Sequence, residues 1–281
     1  MALDERRLAF IGGGHITTVI IDNLVRADKI YTHRLIVSDP DKKKLQQLYN
    51  KYEITLADDN PDAVSKGDFI FFNVLPQRIG DVLTELRREE FPKDKVIVTL
   101  AAGIPISAYE NLGENVPVVR ALPNPPSQIG MGIAALAFNP YVNDKQKSDI
   151  FELFASLGEY VVLREEHINA VMALSSPAAT YLFFQSLIDA GVRAGIDRET
   201  ATKVVYQTIV GAMEVSSQRQ TSLHDLLSEA STPGGISVES IFTLEQHAFG
   251  AALHEAINNA ALKAEELGDA VLKFLKNSGS E

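Results

Sequence analysis

The 281-residue chain contains no cysteine. That excludes a disulfide framework, a thiolate zinc site and a cysteine nucleophile, and it is compatible with the cytosol. Positive charge is in deficit: 26 Lys and Arg against 37 Asp and Glu leave a formal net charge of −11. Such a balance argues against nucleic acid or an anionic membrane as the main partner. Residues 1–7 show no apolar targeting core, and no segment is expected to be long enough to span a membrane. The expectation is therefore a cytoplasmic enzyme or regulator. Internal repeats and low-complexity tracts are absent. The six histidines form no H-E-x-x-H pattern. His247 and His254, a heptad apart on what reads as one helix, suit an exposed or interface pair better than a ligand set, so no metal is expected. No Ser-His-Asp arrangement emerges from the spacing, which leaves hydrolase chemistry without support.

What is present is a globular composition, 46% hydrophobic and 22% charged, in a chain long enough for one or two domains with a substantial core. Its organising stretch is Leu8-Ala9-Phe10-Ile11-Gly12-Gly13-Gly14-His15-Ile16-Thr17-Thr18-Val19-Ile20-Ile21. This reads as an apolar strand, a glycine turn and a helix. Gly12 permits the sharp turn, Gly14 lets a pyrophosphate approach the backbone, and the helix N–H groups at His15 and Ile16 point toward that phosphate. Thr17 stands where the G-x-G-x-x-G fingerprint has its third small residue, so the match is incomplete. An ordinary strand-to-helix turn is the alternative, and His15 could contact phosphate, cap the helix or face solvent.

Arg34-Leu35-Ile36-Val37-Ser38-Asp39 is a second strand ending in an acid, followed by a helix over 41–52. Asp39 is placed to accept from the adenosine ribose hydroxyls and to repel a 2′-phosphate, which favours NAD. Lys42-Lys43-Lys44 pulls the other way and is weighed lower, as solvated surface. Phe69-Ile70-Phe71-Phe72-Asn73-Val74 is continuously apolar, as a central parallel strand should be, and Leu75-Pro76-Gln77 ends it. Val96-Ile97-Val98-Thr99-Leu100 repeats the pattern and runs into Ala101-Ala102-Gly103, small enough to admit a ligand near the backbone. Further strands are expected at 116–122, 133–138 and 160–163, with Pro123-Asn124-Pro125-Pro126 as a rigid loop at the same edge. Strands alternating with helices over some 160 residues predict a doubly wound α/β sheet. Beyond Leu163 helical patterns take over, at 167–194, 198–218 and 238–276. The last carries Ala251, Ala252, Ala256, Ala260, Ala261 and Ala264, which suit either an inter-subunit bundle or a buried intramolecular helix.

Taken as an ordered set, several stretches resemble the pyrroline-5-carboxylate reductase family over nearly the whole length. They are Phe10-Ile11-Gly12-Gly13-Gly14, Leu100-Ala101-Ala102-Gly103-Ile104, Val119-Arg120-Ala121-Leu122-Pro123-Asn124 and Ser175-Ser176-Pro177-Ala178. Asp189-Ala190-Gly191-Val192-Arg193-Ala194-Gly195, Gln207-Thr208-Ile209-Val210-Gly211-Ala212 and Thr232-Pro233-Gly234-Gly235 complete it. The chain departs from the family pattern at His15 (commonly Asn), at Leu75 (commonly Lys), at Pro125 (commonly Thr) and at Ala173 and Ala179 (commonly Ser and Tyr). Ile236-Ser237 stands where two hydroxyl residues are usual.

The resemblance implies a dinucleotide-binding Rossmann domain over 1–163 and an all-α substrate and dimerisation domain over 164–281. It implies NAD(P)H-dependent reduction of a cyclic imine acid, 1-pyrroline-5-carboxylate to proline, in a homodimer or a larger assembly of dimers. The expected cofactor contacts are Gly12, Gly14, His15, Ile16, Asp39, Val74, Pro76, Ala101, Ala102, Gly103, Pro123 and Asn124. Substrate contacts are expected at Ser175, Ser176, Gly234, Gly235 and Ser237, with Ser237 the candidate catalytic group through a hydrogen bond to carboxylate or imine nitrogen. For Ser175, Ser176 and Ser237 helix capping is the competing role. A relative that binds the dinucleotide but has lost reduction, and a reductase of another imine, are the alternatives.

Overall fold

The computed structural model describes residues 3–87 and 91–278. Its first unit comprises the chain through Ser175 together with the segment from Asn258 onward; its second is Ser176–Ile257. The first is built on β1 (Leu8–Ile11), α1 (His15–Arg26), β2 (Leu35–Ser38), α2 (Lys42–Tyr52), β3 (Thr55–Leu56), α3 (Asn60–Lys66) and β4 (Phe69–Phe72). There follow α4 (Ile79–Leu86), β5 (Val96–Thr99), β6 (Val118–Pro123), β7 (Gly132–Phe138), α5 (Asp144–Ala155), β8 (Gly158–Val162) and α6 (Ile168–Ser175). One sheet runs β3-β2-β1-β4-β5-β6-β7-β8, parallel except where β7 lies antiparallel to β6. The order reverses between β1 and β4, the switch point at which ligands bind in such sheets.

Alternation along each strand sends side chains into two cores. Leu8 and Phe10 of β1, with Phe69 and Phe71 of β4, join α1, α2 and α5 on one side. Ala9, Ile11, Ile70 and Phe72 join α3 and α4 on the other. Phe10 and Phe71 stack at 4.8 Å between ring centroids, and Tyr109 meets the Phe72 ring edge-on at 5.1 Å. Both faces of the central strands are covered, which is why their sequences read as continuous apolar runs.

The second unit holds α7 (Pro177–Arg193), α8 (Arg198–Arg219), α9 (Leu223–Ala230), α10 (Ile236–Gln246) and the start of α11 (Phe249–Ser278). Among its described side chains only Ala201 is buried. Gly191 brings α7 and α8 together there, since a Cβ at Gly191 would touch the Ala201 methyl at 3.1 Å.

The structure corrects several expectations. The helix expected at 167–194 is broken at Ser176, because Pro177 cannot donate to the preceding turn and restricts the residue before it. The one expected at 238–276 is two helices, separated where Ala248 takes φ +54. His247 and His254 thus lie on different elements, and the heptad argument lapses. Against the expectation that no segment could span a membrane, Glu165–Arg193 is long and apolar enough by length and composition alone. Ser176 interrupts it, and Asp189 within it forms an ion pair at 2.9 Å with Arg198 beyond its end. The compact units do not follow a cut at Leu163: α11 returns Val271 and Leu275 to the first unit's core.

Candidate functional site

A cleft of about 910 Å³ opens at the switch point. It gathers Gly12, Gly14, His15 and Ile16 from the glycine turn, Asp39 from the end of β2, Val74 and Pro76 after β4, and Ala101 and Ala102 after β5. Those nine expected cofactor residues come together; Gly103, Pro123 and Asn124 do not line the cleft.

Each glycine of the turn has a separate physical duty. Gly12 has φ +106, and a Cβ there would stand 2.8 Å from the Asn73 carbonyl oxygen. Its amide donates to the Ser38 carbonyl at 2.8 Å, fastening the turn to β2. Gly14 is the N-cap of α1, and nothing lies within 4 Å of where its Cβ would be. That space is the cradle a pyrophosphate would use, above helix amides that no side chain caps. His15 begins α1 and lines the cleft without a capping bond, so the capping reading fails for it.

Thr17 accounts for the incomplete fingerprint. Its buried hydroxyl donates to the Gly12 carbonyl and accepts from Asn73 Nδ2 at 2.9 Å, so it clips the turn to the end of β4. Among the described residues Asn73 Oδ1 is buried without a partner on the cleft wall. A ligand carrying hydroxyl donors would satisfy it, which is one sign that these residues fit a dinucleotide. The sequence argument missed Asn73, because it stood inside an apolar strand run.

Asp39 is held more tightly than expected. One carboxylate oxygen accepts from the Gly13 amide and the other from the Asp41 amide, both at 2.8 Å. These bonds fix its charge at the cleft edge and leave each oxygen one further lone pair. Lys42 and Lys44 line the same cleft, which corrects their assignment to solvated surface alone. Asp58, Asp59 and Asn60 share that end, Asn60 bridging Ser38 at 2.9 Å and Glu85 at 2.7 Å. Leu75, which also lines the cleft, is 71% exposed.

The three residues outside the cleft lining each have a structural role. Gly103, φ +79, lies against the Ala264 carbonyl of α11, so its missing Cβ admits a helix. Pro123 ends β6 opposite Ala134. Asn124 donates to the Ser175 carbonyl at 3.0 Å and accepts from the Ile133 amide at 2.8 Å, joining β6, β7 and α6. Beneath residues 100–106 lies a buried polar cluster. Burial pushes the Tyr109 hydroxyl pKa up and that of the Arg120 guanidinium down, with Glu165 opposing the latter.

In the helical unit Thr232-Pro233-Gly234-Gly235 is a turn closed by the Gly235 amide on the Thr232 carbonyl at 2.9 Å, with Gly234 at φ +70. Pro followed by a left-handed Gly is the type II pattern. Gly235 then caps α10, and Ser237 is its second residue. No side chain caps α7 or α10. Ser176 stands at the N-cap of α7 without a side-chain capping bond, Ser237 lies inside α10, and the Ser175 hydroxyl returns to the Met172 carbonyl at 3.4 Å. Among the described residues no group of three or more His, Asp or Glu could hold a metal.

A glycine turn and open phosphate cradle at the switch point of a doubly wound sheet define a dinucleotide-binding protein. Comparison with known proteins carries this further. The family model for pyrroline-5-carboxylate reductase dimerisation matches residues 165–267. The model for coenzyme F420-dependent NADP oxidoreductases matches 7–103. The pyrroline-5-carboxylate reductase of Corynebacterium melassecola is 31% identical over 266 residues, 93% of this chain and 98% of that one. Its counterpart in Pseudomonas aeruginosa is 31% identical over 94% and 97% of the two chains. The crystal structure of Plasmodium falciparum pyrroline carboxylate reductase with NADP bound superposes with a TM-score of 0.85 at 27% identity, covering 95% of this chain and 99% of that one. The chain belongs to the pyrroline-5-carboxylate reductase family.

Proposed function

We propose that the protein reduces 1-pyrroline-5-carboxylate to proline with a nicotinamide dinucleotide. The supporting observation is that whole-chain similarity to reductases of this name coincides with an intact phosphate cradle at Gly14. The bound reduced nicotinamide supplies the hydride for the imine carbon, while a proton goes to the ring nitrogen. The protein's part is to orient two ligands and exclude water. The α1 amides beyond Gly14 bind the pyrophosphate, and Ala101 and Ala102 give the cleft wall room for a flat ring. Gly234, Gly235 and the first amides of α10 hold the substrate carboxylate without adding a titratable cation. Ser237 donates a hydrogen bond to the carboxylate or imine nitrogen, and Ser175 and Ser176 complete the substrate contacts.

We assign NADH as the preferred donor. Asp39, fixed by two amides, places a negative charge where a 2′-phosphate would sit, and Asp58 and Asp59 line the same end. Lys42 and Lys44 oppose this. Replacing Asp39 with Ser narrows the preference; a clear preference of the unmodified protein for NADPH overturns it.

The functional division we propose lies near Leu163, where the sequence changes character, although compactness divides the chain differently. The working unit is a homodimer or an assembly of dimers, in the cytoplasm, without nucleic-acid or membrane partners. Oxidation of NADH and NADPH, followed spectrophotometrically over a panel of cyclic imines, tests the assignment. Turnover with pyrroline-5-carboxylate is expected. Dinucleotide binding with no turnover of any imine would transfer the chain to a regulatory role.

A further inference from the structure

Residues 100–106, which carry Ala101 and Ala102 into the cleft wall, are fastened from two sides. On the sheet side, Thr99 Oγ1 accepts from the Ala101 amide at 3.3 Å and meets the buried Tyr109 hydroxyl at 2.5 Å. The far end of the loop is held by Glu165, whose Oε1 accepts from the Ile106 amide at 2.7 Å. Glu165 in turn lies 3.3 Å from the guanidinium of Arg120, a side chain 2% exposed that donates to Asn169 Oδ1 at 2.6 Å. On the other side α11 closes down. Gly103 faces the Ala264 carbonyl and Gly268 faces the Gly103 carbonyl, two backbones in contact because neither glycine has a Cβ.

The placement of these clasps in the chain is informative. The stretch matched by the dimerisation model runs from 165 to 267. Glu165 opens it, Ala264 lies near its close, and Gly268 follows it by one residue. Both ends of the dimerising stretch therefore converge on one short loop of the dinucleotide cleft. A buried Arg is an unusual anchor for a loop that apolar packing could hold by itself, since its charge must be desolvated, while the Glu165 side chain stays 32% exposed. What it adds is direction, because an amide held by a carboxylate fixes the backbone at one height.

We propose that Glu165 and Arg120 are positioning residues for hydride transfer: they set residues 101–103 at the height the nicotinamide ring requires, and so couple ring placement to the dimerising stretch. This rests on the reductase reading above. The phosphate grip at Gly14 is separate from the clasp, so the pair governs turnover rather than dinucleotide affinity.

The test compares the full-length protein with Glu165→Ala and Glu165→Gln by hydrogen exchange over residues 100–106, NADH affinity, and kcat and KM for pyrroline-5-carboxylate. Thermal stability is recorded for each. Glu165→Ala should speed exchange in the loop and lower kcat on the order of 10- to 100-fold, the scale of a small misplacement of reacting atoms. NADH affinity should change less than about threefold, because pyrophosphate binding is carried elsewhere. Glu165→Gln retains an acceptor for the Ile106 amide and should restore most of the loop protection and of kcat. Unchanged loop exchange in Glu165→Ala, or full kcat in the folded Ala variant, overturns the proposal; so does a Gln variant that behaves as Ala. Should the unmodified protein reduce no imine, the functional reading fails, and loop exchange with NADH affinity still decides the positioning role.

Discussion

Strand β4 buries all four of its residues, Phe69–Phe72, whereas α7 buries none of its seventeen. β4 is wholly apolar and α7 is mixed, but α7 still carries Leu182, Phe183, Phe184, Leu187 and Ile188, and what differs for these is the cover they find. The central strands find cover for both faces within one chain, from α1, α2 and α5 on one side and α3, α4 and the end of α11 on the other. From Ser176 to Ile257 the helices leave Tyr181, Leu182, Tyr206 and Phe242 more than half exposed. Helices apolar around much of their circumference belong in an interior, and exposed apolar surface on this scale marks an interaction site. The dimerisation model falls on this stretch. A second copy of the chain is the cover that fits.

Substitutions can separate the two regions. The largest effect is expected at Gly12→Val, where φ +106 and the carbonyl of Asn73 at 2.8 Å leave no room. The turn should fail, at a cost above about 3 kcal/mol, seen as loss of soluble protein or of the thermal transition. Gly14→Val tests the same turn from its open side. An added Cβ has open space within 4 Å, so melting temperature should largely hold while NADH affinity falls at least about 100-fold as the cradle fills. In the helical unit Leu182→Glu should halve the particle mass and abolish turnover, because a buried unpaired carboxylate at an interface costs several kcal/mol, roughly 3 or more. Dinucleotide binding should survive.

Smaller effects follow. Ser237→Ala should remove a hydrogen bond to a charged group, about 1.5–3 kcal/mol in kcat/KM, with NADH affinity unchanged. Full activity would leave Ser237 without a substrate role. The smallest effect concerns Asp22, between α1 and α2. Burial raises its pKa, but bonds from Tyr52 at 2.6 Å and Lys51 at 3.0 Å outweigh this and hold it below the ordinary 3.8. A depressed folded pKa contributes stability above the ordinary value, lost as pH falls through the folded one. Asp22→Asn should therefore cost under about 1 kcal/mol at pH 7 in urea unfolding, with the difference closing in acid.

The parallel strands were legible because double-sided burial writes itself as unbroken apolar runs; β3, two residues long, carries too little pattern to detect. The glycine turn was legible through φ and approach constraints. Gly103, Pro123 and Asn124 could not be assigned from sequence alone, because small or rigid residues after a strand serve a packing helix or a sheet junction as readily as a ligand. Asn73 escaped notice inside an apolar strand run, and α9 because its apolar face, Leu223, Leu226 and Leu227, spans only eight residues. The break at Ala248 depends on a left-handed residue that sequence does not mark. The role of α11 could not be divided from its alanines: Ala264 is buried in the first unit while Ala251, Ala252, Ala256 and Ala260 stay exposed. That division also bears on truncation, because a chain ended at Leu163 would lose Val271 and Leu275 from its core as well as its dimerising helices.

The central claim is that the helices are completed by a second chain and that reduction requires it. Light scattering on the full-length protein over a dilution series, with imine-dependent NADH oxidation measured on the same samples, tests it most directly. The expected result is a particle of at least two chains, with specific activity falling in step with any dissociation. A stable single chain that reduces pyrroline-5-carboxylate at undiminished rate would contradict it.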